Sequence, residues 1–401
     1  MSLLVWRTLP LRRVVRIIGG GTPASNKEFW EGEIPFATPK DLRPINGGTL
    51  RDTARSITQA GLDQGSALAP VGSVLLSVRA PIGYVVAIEA PAAFSQGCKA
   101  LLPDESQLNS AFLLYALQAC GAKFEATANG TTFMELSATG IAETEISLPD
   151  LVTQARIVRF LDEETAKIDH LIEKQEILNA TAQLRLSEWR ERAFWGNSAA
   201  NPFEFPPDGW TKIPNRHLFK HVDTRSESGE EEMLSVSHIT GVTPRSMKNV
   251  NMFEAESTVG YKLVEPGQLV INTMWAWMGA LGVSNYDGIV SPAYDVYSFR
   301  DISAICPEFI DVAYRTSTYA SLMKANSRGI WESRLRLYPE IFLRLPALIP
   351  PRDVQDRIIG ENKDRTKSTD ELVDKGQHLI TLLRERRSAL ITAAVTGQIE
   401  V

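Results

Sequence analysis

A glycine run and a histidine pair are the residues in this sequence whose spacing could serve chemistry. Gly19-Gly20-Gly21-Thr22-Pro23 looks like a phosphate-binding loop, but it lacks the Lys-Ser/Thr pair of a P-loop and the spacing of a dinucleotide fingerprint, so a plain turn is the better interpretation. His217 and His221 have the i, i+4 spacing of two ligands on one helix. Neither the Glu of a zinc hydrolase nor a cysteine lies near them, so we predict no metal site.

Motifs of DNA-modifying and DNA-cutting enzymes are also missing from the sequence. An amine methyltransferase needs an Asn- or Asp-Pro-Pro-aromatic motif. The nearest fragment, Asn201-Pro202-Phe203, lacks the second proline and stands in an apparent linker with Pro206-Pro207. The acidic runs Glu163-Glu164 and Glu230-Glu231-Glu232 are typical of solvated surface rather than of a nuclease centre. The sequence therefore indicates a protein that binds rather than reacts, with no catalytic residues of its own.

One stretch, from Gln154 to Trp195, has the pattern of a single long helix. Leu148-Pro149 precedes it and Gly196-Asn197 follows it, which are residue types that commonly bound a helix. Gln175 and Asn179 interrupt its apolar stripe. Apolar or small residues recur with the three and four spacing of a coiled-coil seam, at Val158, Leu161, Thr165, Ile168, Ile172, Ala182, Leu186, Trp189 and Ala193.

The same stretch occurs again 201 residues later without a gap. The matching pairs are Pro149 and Pro350, Gln154 and Gln355, Arg156-Ile157 and Arg357-Ile358, Thr165 and Thr366, Asp169 and Asp370, Leu171 and Leu372, Lys174 and Lys375, Leu178 and Leu379, Arg185 and Arg386, Ser187 and Ser388, and Gly196 and Gly397. Two unrelated amphipathic helices would explain the apolar matches, but not the Pro, Gln-x-Arg-Ile, Ser and Gly matches. A fixed offset of this kind indicates an internal repeat.

The length and composition limit the class of protein. A chain of 401 residues with 44% hydrophobic and 22% charged residues fits two or more globular domains. Cys98, Cys120 and Cys306 suggest neither a disulfide framework nor a zinc site. No apolar run is long enough for a membrane span, and Arg12-Arg13 interrupt any secretory signal, so a cytoplasmic location is expected.

Both halves of the chain carry the same order of short strands and loops before their long helix. The fold class predicted is therefore α+β, with two similar mixed domains at residues 1–150 and 198–349 and long helices at 151–197 and 350–401. The order of strands and loops corresponds between the two domains, while the loop residues differ. This suggests one scaffold with two different binding surfaces. The net charge is −6, and no segment is strongly basic, so any binding to nucleic acid would use local patches and would be weak for the chain alone.

Several motifs together resemble the specificity subunits of Type I restriction-modification systems. The motifs that carry this resemblance are Gly20-Gly21-Thr22-Pro23, Phe29-Trp30, the run from Ile34 to Leu42, the run from Gly72 to Gly83, Ser95-Gln96-Gly97, Leu148-Pro149 with Gln154-Ala155-Arg156-Ile157, and the closing run from Leu383 to Gly397. The resemblance covers the whole chain. The second domain departs from the first at nearly every polar position, so contacts cannot be transferred from one half to the other.

The resemblance implies a non-catalytic DNA-binding subunit with two target-recognition domains, each reading half of a split, asymmetric sequence. It implies that the two helices pair as an antiparallel coiled coil, fix the spacer between the half-sites and dock two modification (methyltransferase) subunits, which restriction/translocase subunits would join. S-adenosylmethionine, ATP and Mg would lie on those partners, with no cofactor in this chain. An alternative is a coiled-coil adaptor whose terminal domains bind proteins or glycans.

Polar, cationic and aromatic residues on the loops that differ between the halves are the candidate contacts to double-stranded DNA. They are Lys40, Arg43, Arg79, Lys99, Thr131 and Thr132 in the first domain and His238, Arg245, Trp275, Trp277, Tyr294, Arg328 and Trp331 in the second. Each also has an ordinary interpretation, since an Arg can form a surface salt bridge and a Trp can lie in a core.

Overall fold

A computed structural model describes residues 6–128, 135–196, 201–247, 257–329 and 335–401. The chain divides into two compact units. Unit 1 takes the residues up to 176 and those from 377 onward, and unit 2 takes residues 177–376. Each unit therefore includes part of both long helices.

Unit 1 begins with short strands and small helices. Its elements are β1 (Arg7–Pro10), β2 (Val15–Gly19), β3 (Trp30–Ala37), α1 (Pro39–Leu42), β4 (Thr49–Leu50), β5 (Ser56–Ile57), α2 (Gln59–Gly65), β6 (Ala67–Ala69), β7 (Val74–Ser77), β8 (Val85–Ile88), β9 (Ala92–Phe94), β10 (Cys98–Pro103), α3 (Ser110–Ala119), α4 (Gly121–Thr127), α5 (Ala138–Ala142) and β11 (Glu145–Leu148). The first long helix, α6, covers Leu151–Trp195.

The strands of unit 1 form two main sheets and one outlying pair. The order is β2-β10-β7-β8-β4 in one sheet and β5-β3-β9-β6 in the other, while β1 pairs with β11. Every residue of β7 is buried, as expected for a central strand rich in Val and Leu. The buried side of α3, including Phe112 and Leu113, packs in the same core as β7 residue Val74. This packing fixes the strand ends that carry several candidate contacts.

Unit 2 has a similar arrangement of short strands and helices, with elements of different length. Its elements are β12 (Thr211–Pro214), β13 (Phe219–Val222), β14 (Leu234–Ser237), β15 (Gly241–Pro244), β16 (Lys262–Val264), β17 (Leu269–Asn272), β18 (Leu281–Val283), β19 (Gly288–Val290), β20 (Tyr294–Phe299), α7 (Pro307–Tyr314), α8 (Ser317–Asn326), α9 (Pro339–Phe342), β21 (Pro346–Ile349) and the second long helix, α10 (Arg352–Val395). The main sheet has the order β13-β20-β17-β18, and β12-β21, β14-β15 and β16-β19 form pairs.

The long helices contribute to the core of each unit and run antiparallel. In unit 1, the Arg387 Nε lies 2.9 Å from Asp169 Oδ1, and the Arg384 Nη2 lies 3.1 Å from Glu176 Oε1. The α10 numbers fall as the α6 numbers rise, so the predicted antiparallel pairing is confirmed. In unit 2, the Arg365 guanidinium lies 4.9 Å from the ring centroid of Trp189.

One local prediction, the linker around Asn201-Pro202-Phe203, was wrong. Helix α3 begins at Ser110, because Asp104 accepts hydrogen bonds from Ser106 in a turn and Asn109 caps the helix. The apparent linker around Asn201-Pro202-Phe203 is packed, since Phe203 is buried against Trp195 and Tyr319. No helix in the described part of the chain is long and apolar enough to cross a membrane.

Candidate nucleic-acid interface

The glycine loop of unit 1 is a site of close backbone packing. A Cβ atom at Gly20 would lie 2.2 Å from the carbonyl oxygen of Ser95, and one at Gly21 would lie 1.8 Å from that of Gly65. The Gly21 N–H donates to the Phe94 carbonyl at 3.0 Å. These glycines allow the loop to lie directly on the turn after β9, which accounts for them without a bound phosphate.

Lys40 lies on the short helix α1, which is held by its own cap, and Arg43 begins the 3-10 turn that follows it. The Thr38 N–H and hydroxyl donate to Asp41 Oδ2 at 2.8 and 2.6 Å, and Ala54 N–H donates to Asp41 Oδ1 at 3.0 Å. These local bonds occupy the Asp41 carboxylate. Lys40 and Arg43 are both exposed, and neither forms an ion pair with the residues that the structure describes. Two cations are therefore presented on a fixed backbone.

The backbone connects Lys40 to the candidate Arg79. Pro39 packs on Gly97, where an added Cβ would lie 2.9 Å from the proline ring, and the Val78 N–H donates to the Gly97 carbonyl at 2.8 Å. The structure therefore brings the start of α1, the turn at 95–97 and the end of β7 to one edge of unit 1. Gln96, which belongs to a motif of the resemblance but was not named as a candidate contact, is exposed there and is hydrogen-bonded to the Thr22 hydroxyl.

Arg79 is engaged with an acidic neighbour. Its Nε donates to Glu135 Oε2 at 3.0 Å, and the two residues also pair as an antiparallel β-bridge. Both side chains are more than one-third exposed, at 45% and 40%, so the pair contributes little to stability. The ordinary interpretation of Arg79 as a surface salt bridge thus describes this structure. An exposed guanidinium of this kind remains accessible to another acceptor.

Lys99 is half-buried on β10 opposite Gly19. Its Nζ would lie 3.5 Å from a Cβ at Gly19, an ordinary contact distance, so the lysine side chain lies across the sheet from Gly19. The neighbouring Cys98 is fully buried, and burial raises the pKa of its thiol to about 12. Cys98 is therefore a neutral core residue at physiological pH, and Lys99 is the polar group at this position.

In unit 2, the predicted residues His238 and Arg245 lie at opposite ends of one hairpin. His238 is exposed in the turn between β14 and β15, and Arg245 follows β15 and is half-buried. Burial raises the pKa of Tyr294 above its ordinary value, while the Arg245 charge and a hydrogen bond from Asn272 lower it. That bond, from Asn272 Nδ2 to the Tyr294 hydroxyl, is 3.0 Å long. Arg245 and Tyr294 therefore interact electrostatically.

Trp275 and Trp277 lie in the turn between β17 and β18. Their rings stack with centroids 6.0 Å apart and an angle of 21° between planes. Trp275 is 47% exposed, and Trp277 is half-buried with its Nε1 donating to the Met274 carbonyl at 3.0 Å. The alternative of a core position is therefore excluded for Trp275.

Arg328 is exposed and shares a β-bridge with Arg336, which sequence reasoning missed. The Arg336 Nε donates to Thr273 Oγ1 at 3.1 Å, directly before the tryptophan turn. Arg336 stands 201 residues after Glu135, so a comparison along the repeat offset would have found it. The same position thus carries an acid in unit 1 and a cation in unit 2. Thr131, Thr132 and Trp331 lie outside the described residues.

Sequence reasoning also missed a buried charge pair in unit 2. Lys262 Nζ lies 2.9 Å from Asp295 Oδ1, with both side chains less than one-tenth exposed.

His217 and His221 do not share a helix, because a 3-10 turn ends at His217 and His221 lies on β13. His221 Nε2 lies 3.3 Å from Asp295 Oδ1. Among the described residues, no group of His, Cys, Asp and Glu is arranged to hold a metal ion.

Comparisons with known proteins agree with this architecture. The sequence model of the Type I restriction modification DNA specificity domain matches residues 5–180. The chain is 29% identical over 187 residues to the Type I restriction enzyme MjaIX specificity subunit of Methanocaldococcus jannaschii, covering 46% of this chain and 43% of the relative. It is 30% identical over 170 residues to the EcoprrI specificity subunit of Escherichia coli, covering 39% of this chain and 42% of the relative. The chain thus spans less than half the length of the curated relatives that it matches.

Two solved structures share the fold over the whole chain. One comes from work on complex assembly and conformational transition of the Type I R-M system, with a TM-score of 0.73, 15% identity and 100% of both chains covered. The other is the HsdS subunit from Thermoanaerobacter tengcongensis, with a TM-score of 0.52, 15% identity and coverage of 100% of this chain and 99% of the other. The resemblance to Type I specificity subunits and the predicted fold class are confirmed.

Proposed function

From the confirmed resemblance to Type I specificity subunits, we propose that this chain is the sequence-specific DNA-binding subunit of a Type I restriction-modification complex. Each unit reads one half of a bipartite, asymmetric target, and the chain itself catalyses no reaction. The observation that carries the proposal is that two units with the same internal frame present different side chains at corresponding strand ends. Arg79 and Glu135 occupy this place in unit 1, and Met274, followed by Trp275, and Arg336 occupy it in unit 2.

The chemistry of these strand ends suits DNA. Guanidinium groups bind guanine edges and phosphates in a bidentate manner, and amide side chains such as Gln96 bind adenine. The cations are local, as expected for a chain with a net charge of −6. Phosphate contacts that hold the complex at physiological salt would then come largely from partner subunits, which also carry S-adenosylmethionine, ATP and Mg.

Exposed leucines on the long helices support docking of two copies of one modification subunit. Leu178 and Leu372 are 47% and 42% exposed and line a groove of about 430 Å³ in unit 2, together with Trp189. Their repeat counterparts in unit 1, Leu379 and Leu171, are 44% and 52% exposed. Equivalent apolar positions in both halves of a repeat fit two copies of the same partner.

The function is tested by mapping adenine methylation in cells that carry the modification genes, with and without this chain. We expect one bipartite motif that requires the chain. Replacing residues 201–349 by the same region of another specificity subunit should change only one half of the motif. A motif that is unchanged by this exchange, or methylation without the chain, contradicts the proposal.

Docking is tested separately by native mass spectrometry of the assembled complex. Two double variants should each remove one of the two modification subunits. They are Leu178→Ser with Leu372→Ser, and Leu171→Ser with Leu379→Ser. Leu184→Ser is the matched control, because Leu184 is 59% exposed but its repeat position holds Glu385. Loss of a subunit from the control, or two bound copies in both double variants, contradicts this docking surface.

A further inference from the structure

The turn after β17 in unit 2 presents an apolar tip on the candidate interface. Met274 and Trp275 are consecutive and 43% and 47% exposed. Exposure of large apolar side chains to water is unfavourable unless a partner covers them. Adjacent exposed apolar residues of this kind therefore mark a contact surface. We call Met274, Trp275 and Trp277 the aromatic tip.

The backbone holds the aromatic tip in one conformation. Trp275 N–H donates to the Asn272 carbonyl at 3.0 Å, and the Trp275 carbonyl accepts from Met278 N–H at 3.0 Å and Ala280 N–H at 3.2 Å. Gly279 closes the turn with a φ of 80°, a left-handed conformation that a glycine adopts without strain. Trp277 backs the Trp275 ring by stacking on it. Little ordering is therefore required of Trp275 when it meets a ligand.

Cationic side chains lie near the aromatic tip, and their charge indicates the kind of ligand that it binds. The Lys324 Nζ lies 5.4 Å from the ring centroid of Trp277. Arg336 is bonded to Thr273, the residue before Met274, and its backbone pairs with that of the exposed Arg328. An apolar protein partner would gain little from these charges. Apolar side chains flanked by Arg and Lys fit nucleic acid, where rings meet bases and cations meet phosphates.

Unit 1 has different chemistry at the corresponding place. The backbone frame is the same, because Leu136 N–H donates to the Val78 carbonyl in unit 1 and Leu337 N–H donates to the Thr273 carbonyl in unit 2, both at 2.9 Å. The next residue is Arg79 in unit 1 and Met274 in unit 2. Arg79 is paired with Glu135, so this edge offers hydrogen-bonding groups rather than an exposed ring.

We propose that Trp275 contacts DNA as a wedge against one base step of the half-site read by unit 2, with Met274 beside it and Trp277 behind it. Unit 2 then selects its half-site partly through how easily that step unstacks, whereas unit 1 reads base edges with hydrogen bonds. Pyrimidine–purine steps unstack most easily, so the wedged step belongs to this class. The inference rests on the proposed function and adds to it a mode of readout.

The test uses the full chain assembled with its modification subunits and a duplex that contains the motif found by methylation mapping. The adenine analogue 2-aminopurine, placed in turn at positions of the unit 2 half-site, reports unstacking as a rise in fluorescence on binding. We expect a rise at one step with the unaltered chain and with Trp275→Phe. Trp275→Ala should abolish that rise and weaken binding roughly tenfold or more.

A mismatch at the wedged step provides a second measurement. Because the mismatch is already partly unstacked, it should reduce the difference in affinity between Trp275→Ala and the unaltered chain. Phe205→Ala is the matched control, since Phe205 is an exposed aromatic residue elsewhere in unit 2, at 67%. It should leave both affinity and fluorescence unchanged.

The outcomes separate this inference from the proposed function. If the unaltered complex binds the motif but shows no unstacking at any position of the unit 2 half-site, the wedge is overturned and the proposed function stands. Equal affinity of Trp275→Ala and the unaltered chain would likewise overturn the wedge and leave the proposed function standing. If the unaltered complex shows no preference for the motif, the proposed function itself fails. The measurement on the unaltered chain decides the matter even if Trp275→Ala does not fold.

Discussion

Gln154 and Gln355 lie 201 residues apart and make the same three hydrogen bonds, each within its own unit. Gln154 Nε2 donates to the Gln107 and Pro149 carbonyls, both at 2.8 Å, and its Oε1 accepts from Asn109 N–H at 2.8 Å. Gln355 Nε2 donates to the Ala304 and Pro350 carbonyls at 3.0 and 2.9 Å, and its Oε1 accepts from Cys306 N–H at 2.8 Å. Both side chains are fully buried. Each amide joins the start of a long helix to the loop before α3 or α7.

Replacing either glutamine should destabilise its own unit. Gln154→Met or Gln355→Met keeps the volume but leaves buried carbonyls and an N–H without a partner, which should lower the free energy of unfolding by about 2 to 4 kcal/mol. Hydrogen exchange should increase near Asn109 in the first variant and near Cys306 in the second. Gln183→Met, on an exposed position of α6, is the control and should change stability by less than about 0.5 kcal/mol. Equal destabilisation by the control would show that the buried bonds contribute nothing.

The internal repeat allowed the long helices and the fold class to be predicted from the sequence. The matches at Pro149, Gln154 and Gly196 are residue types whose roles are local, in bounding a helix and bonding to nearby backbone. Such roles depend on short sequence separations, so their pattern is visible without coordinates. The predicted helix from Gln154 to Trp195 accordingly differs from α6 by three residues at its start.

The candidate site was less predictable because distant segments create it. Arg79 meets Glu135 across 56 residues, and Thr273 meets Arg336 across 63. Neither pairing has a signal within a short window of sequence. Exposure is also set by packing, so sequence alone could not show that Trp275 is exposed while Trp277 is half-buried. The DNA contacts of Lys40, Arg43 and the other candidates remain predictions.

The seam of unit 2 contains a polar cluster where unit 1 is apolar. Arg190 Nε donates to Asn362 Oδ1, and its Nη2 donates to Thr366 Oγ1, both at 2.8 Å. The repeat positions of Arg190 and Asn362 are Ile391 and Leu161, which lie in the core of unit 1. Burial lowers the pKa of Arg190, which shows that its charge is partly desolvated.

Because unit 1 already accepts the apolar pair, Arg190→Ile with Asn362→Leu should be close to neutral for stability. Asn362→Leu alone should cost about 1 to 3 kcal/mol, since it leaves a partly buried guanidinium with fewer partners. A double-mutant cycle by urea unfolding measures the coupling. Arg192→Ile, at an exposed position of α6, serves as the control. Additive effects of the two changes would contradict the coupling.

Tyr115 should make unit 1 sensitive to alkaline pH. Its hydroxyl donates to Asp162 Oδ1 at 2.6 Å, and burial, together with this bond to a carboxylate, raises its pKa from 10.0 to about 12. The raised pKa means that the folded state holds the proton more tightly than the unfolded state does. The resulting stability is fully present below pH 10 and is lost as the pH rises to about 12. Tyr115→Phe should therefore destabilise unit 1 at pH 8 by about 1 kcal/mol, and the difference from the unaltered chain should shrink above pH 10. A difference that is constant with pH in urea titrations would contradict this assignment.

The length of the long helices should set the number of unread base pairs between the half-sites. Four residues inserted after Gln175 lengthen α6 by about 6 Å and keep its apolar stripe approximately in phase. Since duplex DNA rises about 3.4 Å per base pair, both half-sites should persist and the gap should grow by one or two base pairs. Two inserted residues rotate the stripe by about 200° and should abolish activity. Methylation mapping measures the gap, and an active four-residue insert with the original gap would show that the helices do not set it.

Arg79 should act as a base reader that exchanges Glu135 for DNA. Arg79→Ala should weaken binding of the assembled complex by about 1 to 3 kcal/mol and relax one position of the unit 1 half-site. Glu135→Gln should leave stability within about 1 kcal/mol, because the pair is exposed, and should leave that position specified, because the guanidinium is retained. Arg12→Ala is the matched control, since Arg12 also pairs with an exposed acid of unit 1, Glu143. Methylation mapping combined with binding titrations distinguishes the outcomes. A motif and an affinity that are both unchanged in Arg79→Ala would limit Arg79 to a surface salt bridge, whereas equal weakening in Arg12→Ala would indicate a loss of general charge rather than of a base contact.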